Sequence, residues 1–288
     1  IVRASENIEI FTDDGIKITA DKLEINTKEK LYTIENNISI KDQSKNIIIK
    51  SNKIFYDDKI KIYKSLGFTK VNYDNRIFLN SSDVLYDVNK DLISSKYSTS
   101  LNDLNSNKLK LTDFDLILNS NIIKSSFATL FDNENNKYEV NNFRYQFDKE
   151  SFLGNNTEID KNKEFIPRMK SRAIFSNKKK TTLSKAVYTN CKKTDGCPPW
   201  LLRAKEIYHD KENKTINYEN VWFEFYDKPI MYFPKFFHPG PSVKRKSGLL
   251  APRFGNSKVL GSSIQIPYFW ATSENKDFTF TPTIYDKN

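Results

Sequence analysis

The sequence predicts an all-β fold, with bent strands repeated and stacked as a jelly-roll or solenoid and followed by strands of membrane-barrel type. Three observations carry this. An apolar pattern returns through the first half at steps of 31, 30, 32 and 29 residues. Within each copy the apolar residues lie two apart, the period of a strand with one face against a core. No sustained 3.6-residue apolar pattern occurs in that half.

The first copy starts at Ile16, with Ile18 at +2, Ala20 at +4, Leu23 at +7 and Ile25 at +9. The second reads Ile47, Ile49, Ser51, Ile54, Tyr56, and the third Ile77, Leu79, Ser81, Val84, Tyr86. Leu109, Leu111, Asp113, Leu116, Leu118 and then Tyr138, Val140, Asn142, Tyr145, Phe147 follow. One more step reaches Met169, Ser171 and Ala173, where the later positions fail, and another reaches Trp200, Leu202, Ala204, Ile207 and His209. The interval from +4 to +7 is odd, so the inward phase flips and the strand must turn a corner at the small or polar residue. Turn-forming runs such as Thr27–Lys30 and Tyr73–Asn75 separate the copies, and alternating runs such as Asn37–Ile40 supply return strands. Stacking such units gives one continuous apolar interior, lined by Ile16, Ile18, Ile47, Ile49, Ile77, Leu79, Leu109, Leu111 and Val140. Periodicity fits both a closed core and an open trough for a lipid.

Composition changes near residue 190. Nine of the 10 prolines, all three tryptophans and five of the 8 glycines follow it. Thr215–Phe225 reads as a strand, Asp227–Pro241 as an irregular, proline-broken linker, and Gly248–Phe254, Ser262–Trp270 and Asp277–Tyr285 as strands. In the last, Phe278, Phe280, Pro282 and Ile284 face one way and Thr279, Thr281 and Thr283 the other. That alternation suits a membrane β-barrel strand, and Tyr268-Phe269-Trp270 suits a membrane interface.

Other classes are disfavoured. No run reaches the roughly 18 apolar residues of a membrane-crossing helix, and mean hydropathy is −0.64. Two Cys and two His leave little for a zinc cluster or a His-based catalytic site. The net charge of +10 comes from Lys spread through the whole chain. It reads as a solvated face that also discourages edge pairing rather than as a nucleic-acid footprint. Asp13-Asp14 and Asp57-Asp58 sit in turn contexts, without the pocket a glycosidase pair needs. No cofactor, metal or catalytic residue is expected. The chain opens on Ile1 rather than Met and stops just after an alternating run, as a fragment at both ends would.

The second part carries a specific set of motifs. They run Tyr188-Thr189-Asn190-Cys191, Cys197–Ala204, Ile207–Asp210, Lys228–Pro234, Val243–Pro252, Ile266–Trp270, Asp277 and Thr281-Pro282. In order and spacing this set resembles the LPS-assembly outer-membrane protein family (the LptD or OstA family), densely over about 100 residues. The repeats before it more loosely resemble the LptA/OstA-like periplasmic lipid-carrier domain of that family. The resemblance implies a periplasmic β-jelly-roll over 1–226, a Pro-rich junction over 227–247 and the first strands of a C-terminal outer-membrane barrel over 248–288. It implies transport rather than catalysis. Lipopolysaccharide would come from an LptA-like periplasmic carrier docked by strand addition and move along the apolar groove. It would leave through a lateral barrel gate, beside an LptE-like lipoprotein plug in a bacterial outer membrane. Pro252 and Pro267 match positions beside that gate, where a missing N–H weakens the ladder; alone, they also read as strand ends. Cys191 matches a family cysteine that pairs with the distant barrel end, and a local Cys191–Cys197 bridge is the other option in an oxidising periplasm. Lys244, Arg245 and Lys246 fit either lipid phosphates or a solvated turn. The alternative to lipid transport is a structural or adhesive β-solenoid with a closed core.

Overall fold

The computed structural model describes residues 1–103, 108–131, 136–160, 168–189, 191, 199–240, 247–250, 252–257 and 259–286. The described chain is almost entirely strand, with one 3-10 turn at Leu118–Ser120. It forms two compact units, Ile1–Ala173 and Ile174–Asn288.

The first unit is an antiparallel, jelly-roll-like stack. It begins with β1 (Val2–Phe11), β2 (Ile16–Asn26), β3 (Leu31–Asp42) and β4 (Ile47–Asp57). The next passes are each divided in two: β5 (Ile62–Ser65) and β6 (Phe68–Tyr73), β7 (Ile77–Ser82) and β8 (Leu85–Asp87), β9 (Leu92–Ser95) and β10 (Thr99–Asp103). Then come β11 (Lys108–Ile117), β12 (Ile122–Phe131), β13 (Lys137–Gln146), β14 (Ser151–Asp160) and β15 (Arg168–Ser176), which carries the division between the units.

The corner expected between +4 and +7 is present. One end of β4 pairs with β6, from Ile47↔Tyr73 to Ser51↔Thr69, and the other with β5, from Ile54↔Ser65 to Asp57↔Ile62. The same interval shifts the β2–β3 register between Thr19 and Lys22 and the β3–β4 register between Glu35 and Ile38. Positive φ at the corners falls on Asn36, Asn37, Asp83, Asp113 and Asn142, residues that tolerate the left-handed region better than most. Gly67 turns with φ +79°. Gly154 serves close approach instead, because a Cβ there would meet Val140 Cγ1 at 2.1 Å.

A corner interrupts the ladder and strands backbone groups in the interior. Buried hydroxyls take their place. The Val84 N–H donates to Ser65 Oγ at 2.7 Å, and the Thr69 hydroxyl donates to the same oxygen at 2.7 Å. Thr69 Oγ1 also lies 3.2 Å from Ser51 Oγ, and Ser81 Oγ lies 2.7 Å from Thr99 Oγ1. Further along, the Thr112 N–H donates to Ser125 Oγ, whose hydroxyl returns to the Thr112 carbonyl at 2.7 Å. At +4, Ser51 and Ser81 are buried among these hydroxyls, while Asp113 and Asn142 serve the corner through positive φ instead.

The second unit contains the meander β16 (Lys180–Thr189), β17 (Trp200–Asp210), β18 (Thr215–Phe225) and β19 (Lys228–Pro239). β19 corrects the sequence reading. The stretch expected to be an irregular linker pairs with β18 from Phe225↔Lys228 to Thr215↔Pro239. Among the described residues β19 pairs with β18 alone, and an edge strand tolerates the missing N–H of prolines 229, 234 and 239. A bulge at Phe223/Glu224 faces Pro229, and Asn220, across from Pro234, adopts φ +49°.

The last three strands are corrected in the same way. Each expected strand is split at a proline, giving β20 (Gly248–Leu249) and β21 (Arg253–Ser257), β22 (Gly261–Gln265) and β23 (Tyr268–Ser273), β24 (Lys276–Phe280) and β25 (Thr283–Tyr285). They form two three-stranded sheets, β20-β23-β24 and β21-β22-β25.

Ser65→Ala leaves the buried Val84 N–H without its acceptor and should cost about 1–3 kcal/mol in urea unfolding. Ser100→Ala on the exposed face should change stability by less than about 0.5 kcal/mol. Equal, small effects would show that the hydroxyls do not hold the corner.

Candidate functional site

Positions 0 and +2 of the first four repeats, with Val140 of the fifth, meet inside the first unit. Ile16, Ile18, Ile47, Ile49, Ile77, Leu79, Leu109, Leu111 and Val140 are all buried, none more than 4% exposed. Their neighbours at +1 point outward: Ile48 is half-exposed and Phe78 is 40% exposed. The interior is thus a row of aliphatic side chains kept from water, flanked at +9 by a tyrosine stack. Tyr56 and Tyr63 lie 4.1 Å apart between ring centroids, and Tyr63 and Tyr86 lie 6.0 Å apart.

A polar seam closes this interior along one side, and sequence reasoning missed it. β2 and β4 each have 11 residues, so flat strands would hold their two ends roughly 35 Å apart. Yet Lys61, beyond one end of β4, places Nζ 3.2 Å from Asp14 Oδ2, before the opposite end of β2. Lys61 also reaches Asp58 at 2.8 Å. One repeat further, the Lys45 ammonium pairs with Asp91 and donates to the Val88 carbonyl at 2.9 Å. The Tyr86 hydroxyl donates to Asp42 Oδ2 at 2.6 Å. A repeat later the Tyr73 hydroxyl donates to the Leu118 carbonyl at 3.0 Å, with the Asn121 side chain beside it. The bent strands therefore bring their opposite ends together, and each contact joins the start of one repeat to the end of the next. A signal was present: Asp14 and Lys45 each stand two before a repeat, and Lys61 and Asp91 each stand fourteen after one.

The seam perturbs its own groups. Burial alone would raise the Asp42 carboxyl, but hydrogen bonds from Tyr86, Ser44 and the Lys45 N–H outweigh it and hold the group below its ordinary value. Burial, then the Asp42 contact, pushes the Tyr86 phenol well up. Lys61 is raised chiefly by its hydrogen bond to Asp58, and Asp58 is lowered chiefly by the same bond.

Pro252 precedes β21 and is half-buried, while Pro267 is buried in the break between β22 and β23. Pro282 occupies the matching break between β24 and β25. The Leu250 N–H donates to the Pro267 carbonyl at 2.8 Å, and the Ile266 N–H donates to the Pro282 carbonyl at 3.2 Å, so the breaks lie side by side. Cys191 is half-buried, its Sγ 3.9 Å from the Trp200 carbonyl. Cys197 lies outside the described residues, as do Lys244, Arg245 and Lys246.

The second unit has its own polar contacts. Arg203 grips Glu224 through two nitrogens at 2.7 and 3.0 Å. His238 Nδ1 lies 2.7 Å from the Pro239 carbonyl and therefore donates to it, leaving Nε2 to accept from the Tyr218 hydroxyl at 2.8 Å. Burial holds the imidazole below its ordinary value.

Asp42 contributes its stability in full above the ordinary aspartate value of 3.8 and loses it as pH falls through its lower folded value. Tyr86→Phe removes the leading stabilising hydrogen bond, so the Asp42 titration should move up and the acid limb of stability should begin at higher pH. Carboxyl-carbon NMR titration checks this, and an unmoved Asp42 would refute it.

No family model matches the chain. Curated relatives do. LPS-assembly protein LptD of Acidovorax sp. (strain JS42) is 37% identical over 117 residues, 40% of this chain and 14% of the relative. That of Methylococcus capsulatus is 37% identical over 94 residues, 33% of this chain and 9% of the relative. The protein of the same name in Shewanella denitrificans is 29% identical over 153 residues, 53% of this chain and 20% of the relative. The matches thus span a fifth or less of these relatives' lengths. With its all-β architecture and these likenesses, the chain is similar to an N-terminal region of the LPS-assembly protein LptD.

Proposed function

We propose that this chain acts in lipopolysaccharide assembly at a bacterial outer membrane, as a conduit and not as an enzyme. The observation that carries the reading is the continuous row of buried aliphatic side chains from Ile16 to Val140. An acyl chain moving along such a row meets no polar group that would have to be desolvated at each step. The relatives' name, LPS-assembly protein, supports the cargo.

On this reading residues 1–226 form the periplasmic jelly-roll, 227–247 the junction and 248–288 the first strands of an outer-membrane barrel. β1, whose outer residues Val2 and Phe11 are exposed, is the edge to which an LptA-like carrier adds a strand. Pro252 and Pro267 loosen the barrel seam through which the lipid leaves, beside an LptE-like lipoprotein. Cys191 and Cys197 are the disulfide-forming cysteines.

Photo-crosslinking residues at Ile49, Leu79 or Leu111 should capture lipopolysaccharide in transporting cells, while Ile48 and Phe78 should not. Capture only at the latter pair would reverse the assigned face. Capture at none would favour a closed-core solenoid without cargo.

Giving both prolines an N–H, as Pro252→Ala with Pro267→Ala, should add about 0.5–1.5 kcal/mol per restored ladder bond. A gate stiffer by about 1–3 kcal/mol opens roughly 5- to 150-fold less often. Surface lipopolysaccharide should fall at matched protein level with the barrel assembled. Unchanged export would leave these prolines as strand ends only.

A further inference from the structure

Resting on the conduit reading, we propose that the polar seam is a row of latches that the cargo's anionic head group displaces, Lys45 and Lys61 exchanging an aspartate for a head-group phosphate. At the seam opposite strand ends meet through side chains rather than through a ladder. Its contacts are polar and sparse: Asp14–Lys61, Lys45–Asp91 with the Val88 carbonyl, Tyr86–Asp42, and Tyr73 with Leu118 and Asn121. Parting it costs a few such contacts and leaves every backbone ladder intact.

An amphipathic lipid needs this geometry. Its acyl chains belong in the aliphatic interior, and its head group must remain where water reaches. The seam is where interior and solvent adjoin. The Lys45 and Lys61 side chains are 24% and 21% exposed, and their partners Asp91 and Asp14 are 31% and 38% exposed. Both pairs are open to water on one side, so an arriving dianionic phosphate can compete for the same ammonium through charge-assisted hydrogen bonds. The latches recur one repeat apart, so a head group released from one lysine meets the next. A cargo received at the β1 edge therefore advances by successive openings of the side wall.

The test compares capture of lipopolysaccharide by a photo-crosslinking residue at Leu79 in the intact protein. Asp14→Asn with Asp91→Asn removes the carboxylates that reach across the seam, leaving Asp58 beside Lys61, and should raise capture about 3- to 10-fold, whereas Lys45→Gln with Lys61→Gln should lower it about as much. A seam that only holds the fold would weaken in both variants, and equal losses would overturn the proposal. Dephosphorylated lipopolysaccharide should be insensitive to both pairs; equal sensitivity would remove the phosphate assignment. Tying Lys45→Cys to Asp91→Cys with a cleavable bis-maleimide should block capture at Leu79 until the spacer is cut, and capture by the tied protein would refute the latches. If the unsubstituted protein captures no lipopolysaccharide at Leu79, the conduit reading itself fails and takes the latches with it.

Discussion

Everything in the first unit follows from one constraint, the change of inward phase in the middle of each strand. A strand whose core residues fall at 0, +2 and +4 and then at +7 and +9 cannot stay flat and keep them all from water. It must bend, and the bend sets the remaining chemistry. Ladders break at the corner, so Ser65, Thr69 and Ser125 replace the lost partners. The chain reverses hand locally, so Asn and Asp occupy positive φ. Strand ends that a flat sheet would hold far apart come within hydrogen-bonding reach.

The fold was legible to the extent that its causes are local. Ile47, Ile49, Ser51, Ile54 and Tyr56 state the corner outright, because burial and spacing act on neighbouring residues. The seam was not legible from any one copy of the repeat. Lys45 and Asp91 look like ordinary turn residues until bending has brought them together, and their charges carry no apolar period. β19 escaped for a different reason. Pro229, Pro234 and Pro239 each mark a break by the usual rules, and only its place beside β18 makes them tolerable. Splitting at Pro267 and Pro282 was hidden by flanking residues that alternate correctly on both sides.

The two units solve the burial of polar groups differently. In the first, hydroxyls substitute for backbone partners, the seam lysines stay partly open to water, and the buried Asp42 is held by the Tyr86 hydroxyl. In the second, the Arg203–Glu224 fork buries most of a carboxylate, and an aromatic cluster surrounds His238, with Tyr218 and Phe236 rings at 5.5 and 6.2 Å. A fork with two directed bonds and a neutral imidazole of fixed tautomer define orientation more sharply than paired lysines do. The first unit thus joins its strand ends along one polar line, while the second fixes side-chain orientation by directed bonds.

The one-repeat offset of the seam gives the stack a polarity. Because the start of each repeat is fastened to the end of the following one, the contacts climb like a screw thread, and the two terminal faces are chemically unlike. Two such stacks brought together head to head would set starts against starts and leave the thread unmatched. Only head-to-tail joining would continue it, so the diagonal of Asp14–Lys61 and Lys45–Asp91 gives the stack a direction of its own.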